Sequence, residues 1–357
     1  MKKNVKKILS LVLSLAMVLT MSACGSKSSS DNGDKPGSDS NTSGETTGNP
    51  ITIKIGTVHY EGSVGIRALE AMKDYLETNS NGRITVEVYP GGVLGDHSTM
   101  LEMLEENDIQ MDVVNPVGFE TQIPTMALLN NYYAFDDLDH LHRFMEGEGG
   151  QFIMDAWSEI GMHGLAWLSL GFRELYNNAR PIKSVEDMKG LSIRGYSTIQ
   201  IATWKSVGVD PVSVDWNELF VSLQQKLING EEGAICNYQD YSFYEVAKNF
   251  TYTDHVMGTD MVICTEKWYN SLSEEDRALV DEASKICYEY HRDHYIPENE
   301  ELMQKLVAEQ GVQVNELDPA VKAQLAEKMS AASAAEIVKV TGQELEDEYL
   351  KLVDAAR

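Results

Sequence analysis

The residues of this chain that could do chemistry are scattered, and their spacing assembles no recognised catalytic group. There is no Gly-x-Ser-x-Gly elbow for a serine nucleophile, no Walker sequence for phosphate, and no His-Glu-x-x-His. The glycines at 147, 149 and 150 lack the sixth-position partner of a dinucleotide fingerprint. His291 and His294 stand three apart in a helical segment, and His140 and His142 lie in an acidic stretch. Either pair has metal-ligand spacing, but solvated surface histidine is the better reading, so no metal or other cofactor is expected. Glu274-Glu275 and Glu346-Asp347-Glu348 likewise read as helix surface, not as acid–base dyads. Cys236, Cys264 and Cys287 have no Cys-x-x-Cys spacing and read as free small hydrophobes, with one disulfide left open. Arg194 is of a different kind. It closes an apolar strand (Leu191, Ile193), and a guanidinium at a strand terminus offers a carboxylate a planar fork of charge-assisted hydrogen bonds.

The elements that must position these residues follow an α/β rhythm. Ile51 to Ile55 and Arg83 to Tyr89 alternate as strands, Ala68 to Leu76 is helical, and a turn at 91–96 leads into a helix from about Ser98 to Glu106. Met111 to Val114 is a short apolar strand. The rhythm recurs with a strand over Met162–Leu170, a short helix opened by Ser184, and a strand over Leu191–Arg194. Helices follow over Ile199–Val207 and Trp216–Leu227. A long helix starts at the cap Ser273, with Asp276 three residues later, and the chain from Pro319 onward is amphipathic and mostly helical. No repeat of solenoid period is present. Two α/β lobes with a cleft between them are expected.

The 357 residues include 29 Lys and Arg against 56 Asp and Glu, a net charge of −27. A chain this acidic repels phosphate backbones, so nucleic acid is excluded as a partner; a local arginine can still hold an anion. Four lysines precede an apolar run over 8–23, too short to span a bilayer at about 20 residues, the pattern of a secretory signal. The run ends in Met21-Ser22-Ala23-Cys24, which resembles a bacterial lipobox with Cys24 lipidated. Residues 25–50 are almost entirely Ser, Gly, Asp, Asn, Thr, Lys and Pro and read as a flexible tether. The expected location is extracytoplasmic, with a lipid anchor at the outer face of the cytoplasmic membrane.

Three runs then carry a resemblance: Gly171-Phe172-Arg173 with Glu174-Leu175-Tyr176-Asn177-Asn178, Arg180-Pro181-Ile182, and Asp187-Met188-Lys189-Gly190-Leu191-Ser192-Ile193-Arg194. With Gly82–Pro90, Leu94-Gly95, Leu223-Gln224-Gln225 to Glu232, and Phe243-Tyr244-Glu245-Val246, they resemble the substrate-binding proteins of tripartite ATP-independent periplasmic (TRAP) transporters, the DctP-like family. The likeness runs from about Ile51 to Gly342. It implies a two-lobed periplasmic-binding-protein-like α/β fold with a long helix spanning both lobes. Lobe I would take 51–170 with about 259–298, lobe II 171–258 with about 299–345, and 346–357 would form a tail. It also implies that the ligand passes to a small and a large membrane subunit driven by an ion gradient.

By the same resemblance Arg194 clamps the ligand carboxylate. Arg173 is a second cation or a brace between the lobes, Trp216 is a pocket aromatic or a core one, and Asn115, His97 and His59 fall at cleft or loop positions. Where the family pattern reads Asp-Gly-Gln-Glu-Asn, this chain has Asn229-Gly230-Glu231-Glu232-Gly233. Gly233 cannot donate the side-chain hydrogen bond of the family Asn, and Asn237 or Tyr238 is the expected substitute. The leading reading is a non-enzymatic receptor for an organic-acid anion, in which the ligand balances two arginine charges. A carboxylate-sensing lipoprotein that signals through a partner is the alternative. A surface enzyme is disfavoured by the missing nucleophile, and an ATP-driven transporter's receptor by the Gly-x-Arg and Lys-Gly-Leu-x-x-Arg pairing.

Overall fold

The computed structural model describes residues 49–357. The signal segment 1–23, Cys24 and the tether up to residue 48 lie outside the described residues. Alternating Ile and Val make β1 (Ile51–Thr57) and β2 (Ile84–Tyr89), and the apolar β3 (Met111–Val114) is buried on both faces. All three are parallel, in the order β2-β1-β3. Parallel neighbours need crossovers, and α1 (Val64–Asn79) and α2 (His97–Glu106) supply them. Ser63 and Asp96 cap their N-termini by accepting from Ile66 N and Thr99 N. Two longer strands, β4 (Met162–Phe172) and β10 (Met257–Thr265), join antiparallel and complete a five-stranded sheet, β2-β1-β3-β10-β4.

The second sheet has six strands in the order β11-β9-β5-β8-β6-β7. They are β5 (Glu174–Asn177), β6 (Ser192–Gly195), β7 (Asp210–Ser213), β8 (Gly230–Gly233), β9 (Asn249–Tyr252) and β11 (Gln313–Glu316). The chain passes between the sheets where β4 runs into β5 and where β9 returns through β10. These crossings bond to each other: Arg173 N donates to Val256 O at 2.9 Å. Gly171 makes the passage possible. Its φ is +67°, and an added Cβ would lie 2.9 Å from Ile296 Cδ1.

That isoleucine belongs to the 37-residue α10 (Glu274–Gln310), the tenth α-helix in order among the described residues. At 1.5 Å per residue it is about 55 Å long. Ser273 caps it as expected, accepting from Asp276 N at 3.1 Å, and Asp276 pairs with Arg83. Val280, Ala283 and Cys287 pack under the first sheet with Ile55 and Leu69, whereas Met303 and Leu306 pack with Phe250 and Tyr238 of the second lobe. The helix therefore serves both lobes. The chain finishes in α11 (Pro319–Thr341) and α12 (Gln343–Ala355), whose Tyr349 and Val353 sit in the core with Phe144 and Leu141.

Several sequence expectations shift. The helix expected over Trp216–Leu227 is a single 3-10 turn (Trp216–Glu218) followed by α6 (Leu219–Gln224); it stops before Lys226, which takes a φ of +58°. His140 and His291 are not surface residues but 1% exposed. His140 Nε2 meets Val353 O at 2.8 Å. Glu346 is also buried, and its carboxylate accepts from Asn131 Nδ2 at 3.2 Å. Cys236, Cys264 and Cys287 are all free. Among the described residues no helix is long and apolar enough to cross a membrane, and no group of three or more His, Cys, Asp or Glu is placed to hold a metal ion.

Candidate functional site

The second sheet brings the decisive side chains to one edge. β6 and β8 are parallel and β5 runs against β8, with Glu174 opposite Gly233. The carboxyl ends of β6 and β8 and the start of β5 thus coincide, gathering Arg194, Glu231, Glu232 and Arg173. Ligands of α/β sheets bind beyond the carboxyl ends of their parallel strands. Adjacent residues of a strand point to opposite faces, so Glu231 and Glu232 have separate environments.

Glu232 is wholly buried and fully partnered. Arg173 Nε donates to its Oε2 at 2.6 Å and Arg173 Nη2 to its carbonyl at 2.8 Å. His255 Nε2 lies 3.0 Å from the same Oε2. A carboxylate can only accept, so Nε2 carries the imidazole proton and Nδ1 accepts from Thr253 Oγ1 at 2.8 Å. Burial opposes ionisation of Glu232, but Arg173 and His255 outweigh it and hold the carboxyl down at about 2. Burial also keeps His255 below its ordinary value, hence neutral at pH 7. Arg173, expected as a cation facing the ligand or as a brace, is already neutralised inside the protein and sits at the crossing between the lobes.

Arg194 is less committed. Its Nε donates to Val214 O at 2.9 Å, and its nearest carboxylate, Glu231 Oε1, is 3.5 Å from Nη1. Its Cζ stands 5.2 Å from the ring centroids of both Tyr196 and Trp216, within cation–π range. Trp216 is braced in turn, edge-on to Tyr241 at 4.8 Å and to Phe243 at 5.7 Å. Arg173 Cζ lies 5.6 Å from the centroid of the same Tyr196 ring, so both guanidiniums stand within reach of one phenol. Glu231, only 1% exposed, has no hydrogen-bond partner for either oxygen among the described residues. Burial pushes its carboxyl up to about 8, although Arg194 pulls the other way. A cavity of about 480 Å³ opens beside Arg194 and Tyr196, walled by Ser213, Asp215, Glu218 and Ser222.

The other expected residues divide. His59 Nε2 pairs with Asp260 at 2.9 Å on the first lobe. The adjacent Tyr60 lies against Asp240 of the second lobe. His97 is close to the same pair and its Nδ1 is buried without a partner among the described residues. Asn115 has both ends of its amide engaged: Oδ1 accepts from Val117 N at 3.0 Å and Nδ2 donates to Thr259 O at 3.3 Å. At Gly233 an added Cβ would meet Tyr176 Oη at 3.2 Å and Asn237 Nδ2 at 3.7 Å. The Asn237 amide therefore borders the space left by the missing side chain. Tyr238 does not: it is buried and its hydroxyl donates to Ala247 O at 2.7 Å.

This arrangement, two lobes bridged by crossing strands with arginines at a strand-end cleft, has counterparts. The family described as bacterial extracellular solute-binding protein, family 7 (DctP), matches residues 55–338. The chain belongs to this family. It is 30% identical over 242 residues to the sialic acid-binding periplasmic protein of Vibrio cholerae serotype O1, covering 67% of this chain and 75% of that one. A TRAP periplasmic solute-binding protein of Ochrobactrum anthropi superposes with a TM-score of 0.80 at 26% identity, covering 86% of this chain and 96% of the other. Another, from Pseudomonas putida F1 with bound D-glucuronate, gives 0.76 at 27% identity, covering 85% and 97%. Members of family 7 are extracytoplasmic solute receptors, and the two-lobed fold with its long helix is theirs.

Tyr196, Glu231 and Glu232 around the two arginines went unclaimed by sequence reasoning, as did Asp260 beside His59 and Asp240 beside Tyr60. Tyr196 had a signal, since it stands two places beyond Arg194 in an extended segment and so shares its side. Gly-Glu-Glu-Gly carries no apolar or alternating pattern, yet it is a strand buried at all four positions in the middle of a sheet.

Proposed function

We propose that this family 7 protein captures an organic-acid anion at the Arg194 edge and delivers it to an ion-coupled TRAP-type permease, tethered outside the membrane through Cys24. The observation that carries the reading is Arg194 itself: a half-enclosed guanidinium between two aromatic rings, whose nearest carboxylate is held towards its neutral form. The sequence reading had the ligand balancing two arginines. With Arg173 matched by Glu232, one positive charge is left for it, which favours a monocarboxylate over a dicarboxylate. His59, Asp260, Asn237 and Asp240 supply donors and acceptors suited to ligand hydroxyls, and the D-glucuronate bound by the Pseudomonas putida relative has that chemistry.

The test is thermal unfolding of residues 49–357 against D-glucuronate, D-galacturonate, N-acetylneuraminate, succinate, neutral sugars and amino acids. A ligand at 100 times its Kd adds about 2.7 kcal/mol, a rise of several degrees. Arg194→Ala removes the carboxylate's partner and should weaken binding about 30-fold or more, from a loss of at least about 2 kcal/mol. Shifts by neutral sugars and none by acids would overturn the reading. Cys24→Ala should release the full-length protein from the membrane fraction.

A further inference from the structure

Glu231 and Glu232 are neighbours with opposite circumstances, and the contrast has a consequence for binding. Glu232 has Arg173, His255 and, at 3.5 Å, Gln200 Nε2 around it. Glu231 has only Arg194 at 3.5 Å, with both oxygens buried and otherwise unpartnered among the described residues. Arg194 is also the cation that an incoming carboxylate needs. We propose that Glu231 competes with the ligand for Arg194, so that an anion binds tightly only as Glu231 takes up a proton. This rests on the reading above that the ligand's carboxylate docks on Arg194.

The physical argument is one of shared charge. If Glu231 is ionised, it neutralises Arg194, and an arriving carboxylate meets a like charge across the same guanidinium. Two carboxylates so close cannot both stay ionised. If Glu231 is protonated, Arg194 keeps its full charge and the Glu231 hydroxyl becomes a donor that can reach the ligand. The ligand's carboxyl is already ionised across pH 7 to 9 and gives up no proton, so the proton comes from solvent and ends on Glu231. The groups facing Glu231 are Arg194 from β6, Arg173 between β4 and β5, Tyr176 from β5, Tyr196 beyond β6, and Glu232 on its own strand. Arg173 stays charged and the buried tyrosines stay neutral across pH 7 to 9, and Glu232 stays ionised. Within this cluster Glu231 alone changes state there, around the value of about 8 to which burial raises it.

The experiment is isothermal titration calorimetry of residues 49–357 with D-glucuronate, D-galacturonate, N-acetylneuraminate and succinate at pH 7, 8 and 9, in buffers of differing ionisation enthalpy. For whichever acid binds, Kd should rise about tenfold from pH 7 to pH 9. Uptake should approach about one proton per ligand at pH 9 and about 0.1 at pH 7. Glu231→Gln should flatten both trends. Asp112→Asn should leave them in place, although Asp112, in the first sheet, is also pushed up to about 8. Binding with no pH slope and no proton uptake would overturn the proposal while leaving the carboxylate receptor intact. If no acid binds, the receptor reading falls. In either case carbon-13 spectra of glutamate-labelled protein decide the state of Glu231: the carboxyl signal missing from Glu231→Gln should titrate near 8, and titration near 4.5 would overturn the proposal.

Discussion

Replacing Glu232 by Gln tests whether the crossing between the lobes is built on charge. The substitution keeps the shape and removes the counter-ion of Arg173, whose side chain is 15% exposed and whose Nε stands 2.6 Å from the carboxylate. Stripping one partner from a buried ion pair costs about 3–5 kcal/mol, because the remaining charge is left without solvent or partner. The pH dependence gives an independent figure. The Glu232 carboxyl falls from an ordinary 4.5 to about 2 on folding, a contribution of about 3 kcal/mol at about 1.4 kcal/mol per pH unit. A lowered carboxyl stabilises the fold above its unfolded value and loses that contribution as pH falls towards its folded value. The wild-type advantage over Glu232→Gln should therefore be about 3 kcal/mol at pH 7 and about 1 kcal/mol at pH 3. Urea denaturation followed by tryptophan fluorescence at pH 7, 5, 4 and 3 measures it. A difference below about 1 kcal/mol at pH 7, or one that does not shrink on acidification, would refute the argument that Arg173 is neutralised within the protein.

Gly171→Ala should destabilise the protein by about 2–4 kcal/mol, combining a left-handed alanine with a collision against Ile296; thermal unfolding reports it, and Ile296→Val should recover part of the loss. Trp216→Ala should weaken binding of the acid identified by the thermal screen about 3- to 30-fold by removing a ring 5.2 Å from the Arg194 guanidinium, as measured by calorimetry. Asn237→Ala should cost about one neutral hydrogen bond, roughly fivefold in Kd, and adding Gly233→Asn in the same chain should restore most of it.

The readability of this fold and site follows from what each residue answers to. Strands β1 and β2 were legible because one face meets a core and the other water, which writes alternation into the sequence. The start of α10 was legible because Ser273 and Asp276 satisfy orphan backbone groups locally. Arg194 was legible because a motif frames it. β8 was not, since its glutamates are buried against partners at distant positions, Arg194 and His255, and no local pattern announces such a pairing. The same holds for His140 and His291: their neighbours looked polar, but the contacts that bury them come from α12 and the first sheet. Long-range charge matching was the missing signal. Two arginines at the ends of adjoining segments, with a Glu-Glu pair between glycines some 40 residues on, imply that some of that charge is cancelled internally. Counting two glutamates against two arginines removes the need for the ligand to balance both; that Arg173 is the one matched and Glu231 the residue without a settled partner follows only from the structure.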